Sequence, residues 1–343
     1  MLRGVRVPLL AFADDVVLLS TSAAGLQRKL ELLEGFSRRT ELLVNLQKTE
    51  VVVFGGKVEA QKAKHEFRYG GERVEIVESY RYLGVQFHCN GSFRQGVQFL
   101  AEAGRKAAFA MDRRCKELGL RKISTKLGIF DTRVSPILQY GGEVWGPGYG
   151  REWGWNGDGD CLETVHRLFL RSLLRARKST LSKAVLGEMG RFPLAIVRWE
   201  RVFRFVNRTS ALSSDRLARL ALEESKAMWA AGQGGWYSKV MEKARELATD
   251  EQLEKRGLDV KMLRDFSEMA YMQDLREDHG TKYETYFEVV KEAYEDLRRI
   301  FHSIFDNRGT KSLRAFLNGE DKIAVGKYLI FVWREELGST LKS

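Results

Sequence analysis

Two adjacent aspartates, Asp14 and Asp15, stand in the middle of LLAFADDVVLLS, residues 9–20, a stretch otherwise built from apolar side chains. Their flanks, Leu9-Leu10-Ala11-Phe12 and Val16-Val17-Leu18-Leu19, are short and partly β-branched, and predict two strands of a buried sheet joined at a tight turn. Aspartate is common in turns because its carboxylate bonds nearby backbone amides, and that alone accounts for most such pairs. Between two apolar strands, however, the carboxylates would sit at the lip of a packed sheet. Charge there needs a compensating partner, and a divalent cation is the strongest one available. Asp14 and Asp15 are therefore candidate metal ligands.

The elements that must position them follow from periodicity. Ser20-Thr21-Ser22 is a good N-cap region, and Leu26, Leu30, Leu33 and Phe36 recur on one helical face after it. Strands are predicted at 50–54, ended by Gly55-Gly56, at 73–77 and at 82–87. From Phe93 to Leu118 the stripe Phe93, Val97, Leu100, Gly104, Ala108, Met111, Cys115 and Leu118 steps by three or four, an amphipathic helix. Arg94, Arg105, Lys106, Arg113, Arg114 and Lys116 fall off that stripe. Residues 141–160 hold eight glycines and three tryptophans without the Lys-Ser or Lys-Thr ending of a phosphate-binding loop, and read as a flexible connector. Beyond Gly159 the pattern is helical to the end. There Arg167, Arg171, Arg175 and Lys178 occupy one arc of a helix opposite Val165, Phe169 and Leu173. Basic stripes are commonly solvated faces, but four cations with no interspersed acid repel one another and favour a polyanion.

Composition agrees with such a partner. The 343 residues carry 57 Lys plus Arg against 46 Asp plus Glu, a net charge of +11. The charge is localised: residues 94–134 and 167–208 together hold a net +15, leaving −4 for the remainder, as a nucleic-acid track requires. Cys89, Cys115 and Cys161 are too few and too widely spaced for a disulfide framework or a zinc knuckle, which fits a reducing compartment. No apolar run approaches a membrane span and Met1 opens no signal peptide, so a soluble, intracellular protein is expected, nuclear or cytoplasmic.

Several blocks in order carry a family likeness. The FADD turn, Phe12–Asp15, resembles the catalytic hairpin of reverse transcriptases. LLVNLQKTEVVVFGG, 42–56, resembles the next polymerase motif, with Lys48 and Thr49 in its Lys-Thr position. YRYLGVQF, 80–87, resembles the primer-grip hairpin, with Tyr82-Leu83-Gly84 at its core. With SPILQYGGEVWG (135–146) and FLRSLLRARKSTLSKAVLGEMGRFPL (169–194), the chain resembles the C-terminal part of the polymerase of a non-LTR (LINE-type) retrotransposon over roughly residues 7–210.

That resemblance implies an α+β architecture. Residues 1–90 would be an incomplete palm of antiparallel strands with a packed helix, and 91–140 a helical thumb. The connector at 141–160, a basic helical region at 161–210 and a helical region at 211–343 would follow. It also implies two-metal nucleotidyl transfer with Mg2+, on an RNA template, a DNA primer and deoxynucleoside triphosphates. Asp14 would be a direct metal ligand and Asp15 would support the second carboxylate position. Lys48 would approach the triphosphate and could act as a general acid toward pyrophosphate. Tyr82, Leu83 and Gly84 would place the primer end. Arg105, Lys106, Arg113 and Arg114 of the thumb, and Arg167, Arg171, Arg175 and Lys178 beyond it, would track the nucleic-acid backbone. Trp145, Trp153 and Trp155 would stack bases or serve as packing anchors.

Family polymerases take a further catalytic aspartate and the fingers from segments before the FADD turn, and only thirteen residues precede Asp14 here. The polypeptide alone is therefore expected not to polymerise, and the exposed strand edges to leave residues 1–90 poorly stable in isolation. The competing expectations are a retained basic nucleic-acid-binding protein without catalysis and a helical interaction module with no nucleic-acid partner.

Overall fold

The computed structural model describes residues 5, 7, 9–149, 159–178, 180, 182–249, 251, 253 and 257–267. Among them the chain is α+β. Strands β1 (Leu9–Phe12) and β2 (Asp15–Leu18) lead into α1 (Ala23–Thr40), and a 3-10 turn at Leu46–Lys48 into β3 (Glu50–Val52). Helix α2 (Val58–Lys64) then precedes β4 (Phe67–Tyr69), β5 (Glu72–Val77), β6 (Ser79–Tyr82) and β7 (Val85–His88). Only helices follow: α3 (Arg94–Glu117), α4 (Ile123–Arg133), α5 (Ser135–Leu138), α6 (Gly142–Tyr149), α7 (Cys161–Leu174), α8 (Ser182–Glu188), α9 (Leu194–Ser210), α10 (Leu217–Ala230) and α11 (Trp236–Arg245). Two compact units share these elements. One gathers residues 1–99, 140–149 and 202–258, and the other 100–139, 150–201 and 259–343.

The first unit is built on a small mixed sheet of order β3-β5-β4, with β3 parallel and β4 antiparallel to β5. Its core is Leu30 of α1 against Val51, Phe67, Val74 and Ile76, with Leu18, Leu26 and Leu46 packed at the margin. The helix starts where the Ser22 hydroxyl accepts from the Gly25 amide. Polar clips then set its register on the edge strand. The Gln27 amide donates to Arg68 O at 3.0 Å and accepts from Arg68 N at 2.9 Å, and the Glu34 carboxylate accepts from Gly70 N at 3.0 Å. These bonds cap polar groups that an open sheet edge would leave unpaired. The buried face of α1 turns past Phe36 to Ser37, so the fourth residue of the expected stripe is exposed. Strands β4 and β5 join through Gly70 and Gly71, both at positive φ, the requirement of a two-residue type I′ turn.

Two expectations change here. Residues 82–87 are not one strand: Leu83 (φ 46°) and Gly84 (φ 82°) turn the chain back, so β6 and β7 form a hairpin of their own. The first half of the expected connector is the two-turn helix α6. Trp145 is buried there, its Nε1–H donating to Tyr140 O at 2.7 Å, so it packs and is not available to stack a base. Trp153 and Trp155 lie outside the described residues. Helix α11 packs on α6, with Trp236 Nε1–H donating to Glu143 O at 3.0 Å.

In the second unit, Phe130 of α4 stacks on Phe169 of α7 at 4.3 Å between centroids. Charged side chains buried with them are paired. Asp160 N-caps α7 through Leu162 N and also meets Arg198 Nη2 at 3.0 Å. Glu163 accepts from Leu194 N at 2.6 Å, at the start of α9, and faces His166 Nδ1 at 3.0 Å. A carboxylate at a helix N-terminus meets free amides and the positive end of the dipole, which makes its burial tolerable.

Candidate functional site

Strands β1 and β2 pair antiparallel with Phe12 opposite Asp15, so Ala13 and Asp14 form the two-residue loop. Ala13 takes φ 52°, a left-handed conformation costing about 1–2 kcal/mol in an L-residue without glycine's freedom. The hairpin and its turn are where the sequence places them, but the buried sheet is not. Among the described residues the β1–β2 sheet has two strands, β1 is exposed along its length, and Phe12 is 64% exposed. Asp14 and Asp15 are exposed as well. With water on the hairpin, burial does not by itself require a cation to compensate them.

Other segments reach the same place. Lys48 ends the 3-10 turn, which the Thr49 hydroxyl closes by donating to Asn45 O at 2.8 Å. The Lys48 side chain is exposed, while its carbonyl accepts from the Tyr80 hydroxyl at 3.3 Å. Burial, and then the negative charges of Asp15 and Glu50, push the Tyr80 phenol up from its ordinary value. Asp15 of the hairpin, Lys48 and Glu50 of the Lys-Thr segment and Tyr80 of the following hairpin therefore share one neighbourhood. Tyr80 and Glu50 were not singled out from the sequence. Tyr80 heads the YRYLG run and Glu50 follows Thr49, but only the fold turns both toward Asp15.

Tyr82, Leu83 and Gly84 occupy the tip of β6–β7. Tyr140 covers this tip, donating its hydroxyl to Leu83 O at 2.8 Å. A Cβ at Gly84 would lie 2.7 Å from the Tyr140 ring, and φ is 82° there, so both the backbone and the close approach demand glycine. The 80–87 and 135–146 blocks of the sequence thus meet at one turn.

The basic residues divide. In α3 the stripe Val97, Leu100, Gly104, Met111 and Cys115 is buried, while Leu118 is exposed beyond the helix. Arg105, Lys106, Arg113 and Arg114 are exposed, as the periodicity requires. Glu102 pairs with Arg105 at 3.3 Å and Glu117 with Arg114 at 3.0 Å, which lowers the net charge of that face. The second stripe is overturned. Helix α7 ends at Leu174 with Arg175 in the left-handed region (φ 54°), so Arg175 and Lys178 leave the helical arc. Both are exposed, but Arg167 is 6% exposed and Arg171 is half-buried. Arg171 spends Nη2 on Thr180 O and Ser182 Oγ, both at 2.9 Å. Burial, and then the charge of Arg167, pull its guanidinium down from the ordinary value. The solvent-facing stripe of α7 is Thr164, Leu168 and Ser172, so Arg167 and Arg171 do not lie on it.

The carboxylates also bear on the expected Mg2+ pair. A two-metal centre needs several oxygens converging on ions a few Å apart. Among the described residues, the one cluster of three or more potential metal-ligand side chains is Glu78, His88 and Cys89, not the Asp14–Asp15 turn. Among the described residues, Glu50 shares the neighbourhood of Asp15 but does not converge with Asp14 and Asp15 into a ligand cluster, which does not fit a two-metal centre.

Comparison of the chain with protein-family models, with curated proteins and with solved structures finds no match in any of the three. No described helix is long and apolar enough to cross a membrane.

Proposed function

We propose that the chain is the C-terminal part of an RNA-directed DNA polymerase of the non-LTR retrotransposon type. The full-length enzyme would transfer nucleotides onto a DNA primer along an RNA template. The observation that supports this most is the convergence of Asp15, Lys48 and Tyr80 from three segments separated along the chain. In this reading Asp14 in the loop and Asp15 at the start of β2 offer two carboxylates toward the reacting phosphate, and the exposed ammonium of Lys48 reaches the triphosphate. The Tyr80 hydroxyl holds the Lys48 backbone in register with the hairpin. The tip at Tyr82-Leu83-Gly84, stiffened by Tyr140, places the primer end. Arg105, Lys106, Arg113 and Arg114 contact phosphates, giving affinity without sequence reading.

The described residues provide only part of a metal cage, so the 343-residue chain binds template–primer without extending it. A second reading, a basic nucleic-acid-binding protein without catalysis, is favoured by that same incomplete cage and by the solvent-exposed hairpin. Binding to an RNA–DNA duplex, titrated at several salt concentrations with primer extension assayed in parallel, tests both. The expected result is affinity that falls linearly on a log–log plot against salt and weakens when Arg105 and Lys106 become Glu. No binding at low salt would sink both readings for this chain. Robust Mg2+-dependent extension abolished by Asp14→Ala would remove the second reading and the claim that the cage is incomplete.

A further inference from the structure

The base of the β6–β7 hairpin carries a cluster that the reading above does not use. Glu78 precedes β6, His88 closes β7 and Cys89 follows it. The ladder runs one bond past the hairpin, with Cys89 N–H donating to Glu78 O at 2.8 Å. Gly55 N–H donates to Cys89 O at 3.1 Å from the other side, so the backbone of the cluster is fixed twice over. His88 and Cys89 are buried and Glu78 is exposed. One donor atom from each residue lies within 4.8 Å of the other two.

The contacts of His88 with Glu78 and Cys89 are long, and the one from Asn90 N–H is at the upper end of the ordinary range. Cys89 Sγ stands 3.7 Å from His88 Nδ1, Glu78 Oε1 is 3.4 Å from Nε2, and Asn90 N–H reaches Nδ1 from 3.2 Å. Good hydrogen bonds to nitrogen and oxygen are nearer 2.9 Å. A thiol and an imidazole are thus withdrawn from water with only long or marginal contacts. A divalent ion would bind them strongly. With Zn–S near 2.3 Å and Zn–N near 2.0–2.1 Å, the sulfur–nitrogen edge of a tetrahedral site is about 3.6 Å. The observed separation of Sγ and Nδ1, 3.7 Å, is already close to that edge.

We propose that Cys89 Sγ, His88 Nδ1 and a Glu78 carboxylate oxygen form a mononuclear site for a borderline-soft divalent ion of the zinc class, with one position open to water. Coordination through Nδ1 displaces the contact from Asn90 N–H. Glu78 Oε1 lies against Nε2 at 3.4 Å, so its exposed side chain must leave that nitrogen and rotate toward the Nδ1 edge to complete the site. Thiolate and carboxylate together neutralise the ion, and the sulfur selects against Mg2+ and Ca2+. The ion joins the two ends of the hairpin to each other and, through Cys89 O, to the Gly55 turn. This assignment does not depend on the polymerase reading.

Cobalt(II) titration of the reduced, metal-free 343-residue chain tests it. The expected result is a sulfur-to-cobalt charge-transfer band and tetrahedral visible bands that saturate at one ion per chain and are displaced by Zn2+. Both disappear in Cys89→Ser and His88→Ala and persist in Cys115→Ser and Cys161→Ser. Glu78→Gln, at an exposed position that does not threaten folding, weakens the ion at least tenfold. A folded chain with no charge-transfer band overturns the proposal, and so does a band that survives Cys89→Ser. Unchanged affinity in Glu78→Gln overturns the three-donor site even where the buried variants fail to fold.

Discussion

Replacing Gly104 by alanine tests which face of α3 is turned inward, and hence which of its basic residues meet solvent. Glycine inside a helix is worse than alanine by about 1 kcal/mol, so the exchange would ordinarily stabilise. Here a Cβ at residue 104 would lie 2.2 Å from Leu138 Cδ2 and 2.8 Å from its Cγ. Leu138 is fully buried, so its methyls cannot swing into water to make room. Overpacking of this kind destabilises by about 1–3 kcal/mol, which exceeds the propensity gain and leaves Gly104→Ala about 1 kcal/mol less stable than the parent. Gly128 of α4 is the control, because a Cβ there meets nothing within 4 Å. Gly128→Ala should stabilise by up to about 1 kcal/mol. In a Leu138→Ala background the obstructing methyls are gone, and Gly104→Ala should turn neutral or stabilising. Urea unfolding followed by far-UV circular dichroism at unchanged m-value gives all three comparisons. Equal effects of Gly104→Ala in both backgrounds, or stabilisation in the parent, would refute the packing argument and with it the orientation of α3.

Three further outcomes follow from the same structure. Asp15→Asn and Glu50→Gln should each lower the Tyr80 phenol titration, read by NMR of ring-labelled tyrosine against a Tyr80→Phe reference; an unmoved resonance would separate the hairpin from the Lys-Thr segment. Because the folded value is raised above 10.0, the associated stability is present below pH 10 and is lost as pH rises through the folded value. Glu163→Ala should destabilise the second unit by about 3 kcal/mol, since it strips a partner from buried His166 and from the Leu194 amide; a loss well under 1 kcal/mol in urea would contradict that network. The Asp112 carboxyl is held below its ordinary value chiefly by its hydrogen bond from Lys116, against an opposing effect of burial and with help from Lys126. Its contribution is therefore full above the unfolded value of 3.8 and is lost as pH falls through the lower folded value, so Asp112→Asn should flatten the acid limb of a stability–pH curve.

Local order was legible residue by residue. The stripe of α3 is buried where its period of three and four puts it, because a helix has one inward face and its spacing is set by the backbone. The Ser22 cap and the Ala13-Asp14 turn are equally local. Short elements escaped: β4 has three residues and α2 seven, too few for a period to show against their neighbours. The arc drawn through Arg167, Arg171, Arg175 and Lys178 failed for a definite reason. Periodicity assumed an unbroken helix, whereas the chain leaves it at Arg175, and the apolar side of α7 is wide enough to take Arg167 inside.

The sequence by itself determined the β1–β2 hairpin with Asp14 in its turn and Asp15 beside it, the inward face of α3 and the localisation of positive charge. These rest on contacts between residues a few positions apart. Tertiary structure alone decided that the aspartate hairpin is exposed, that Tyr80 and Glu50 join Asp15, and that Tyr140 covers the Leu83-Gly84 tip. It alone brought Glu78 to His88 and Cys89. Each depends on strand register or on packing between residues far apart in the chain, which no local pattern encodes: a shift of one residue in the β6–β7 ladder would send every side chain of the strand to the opposite face.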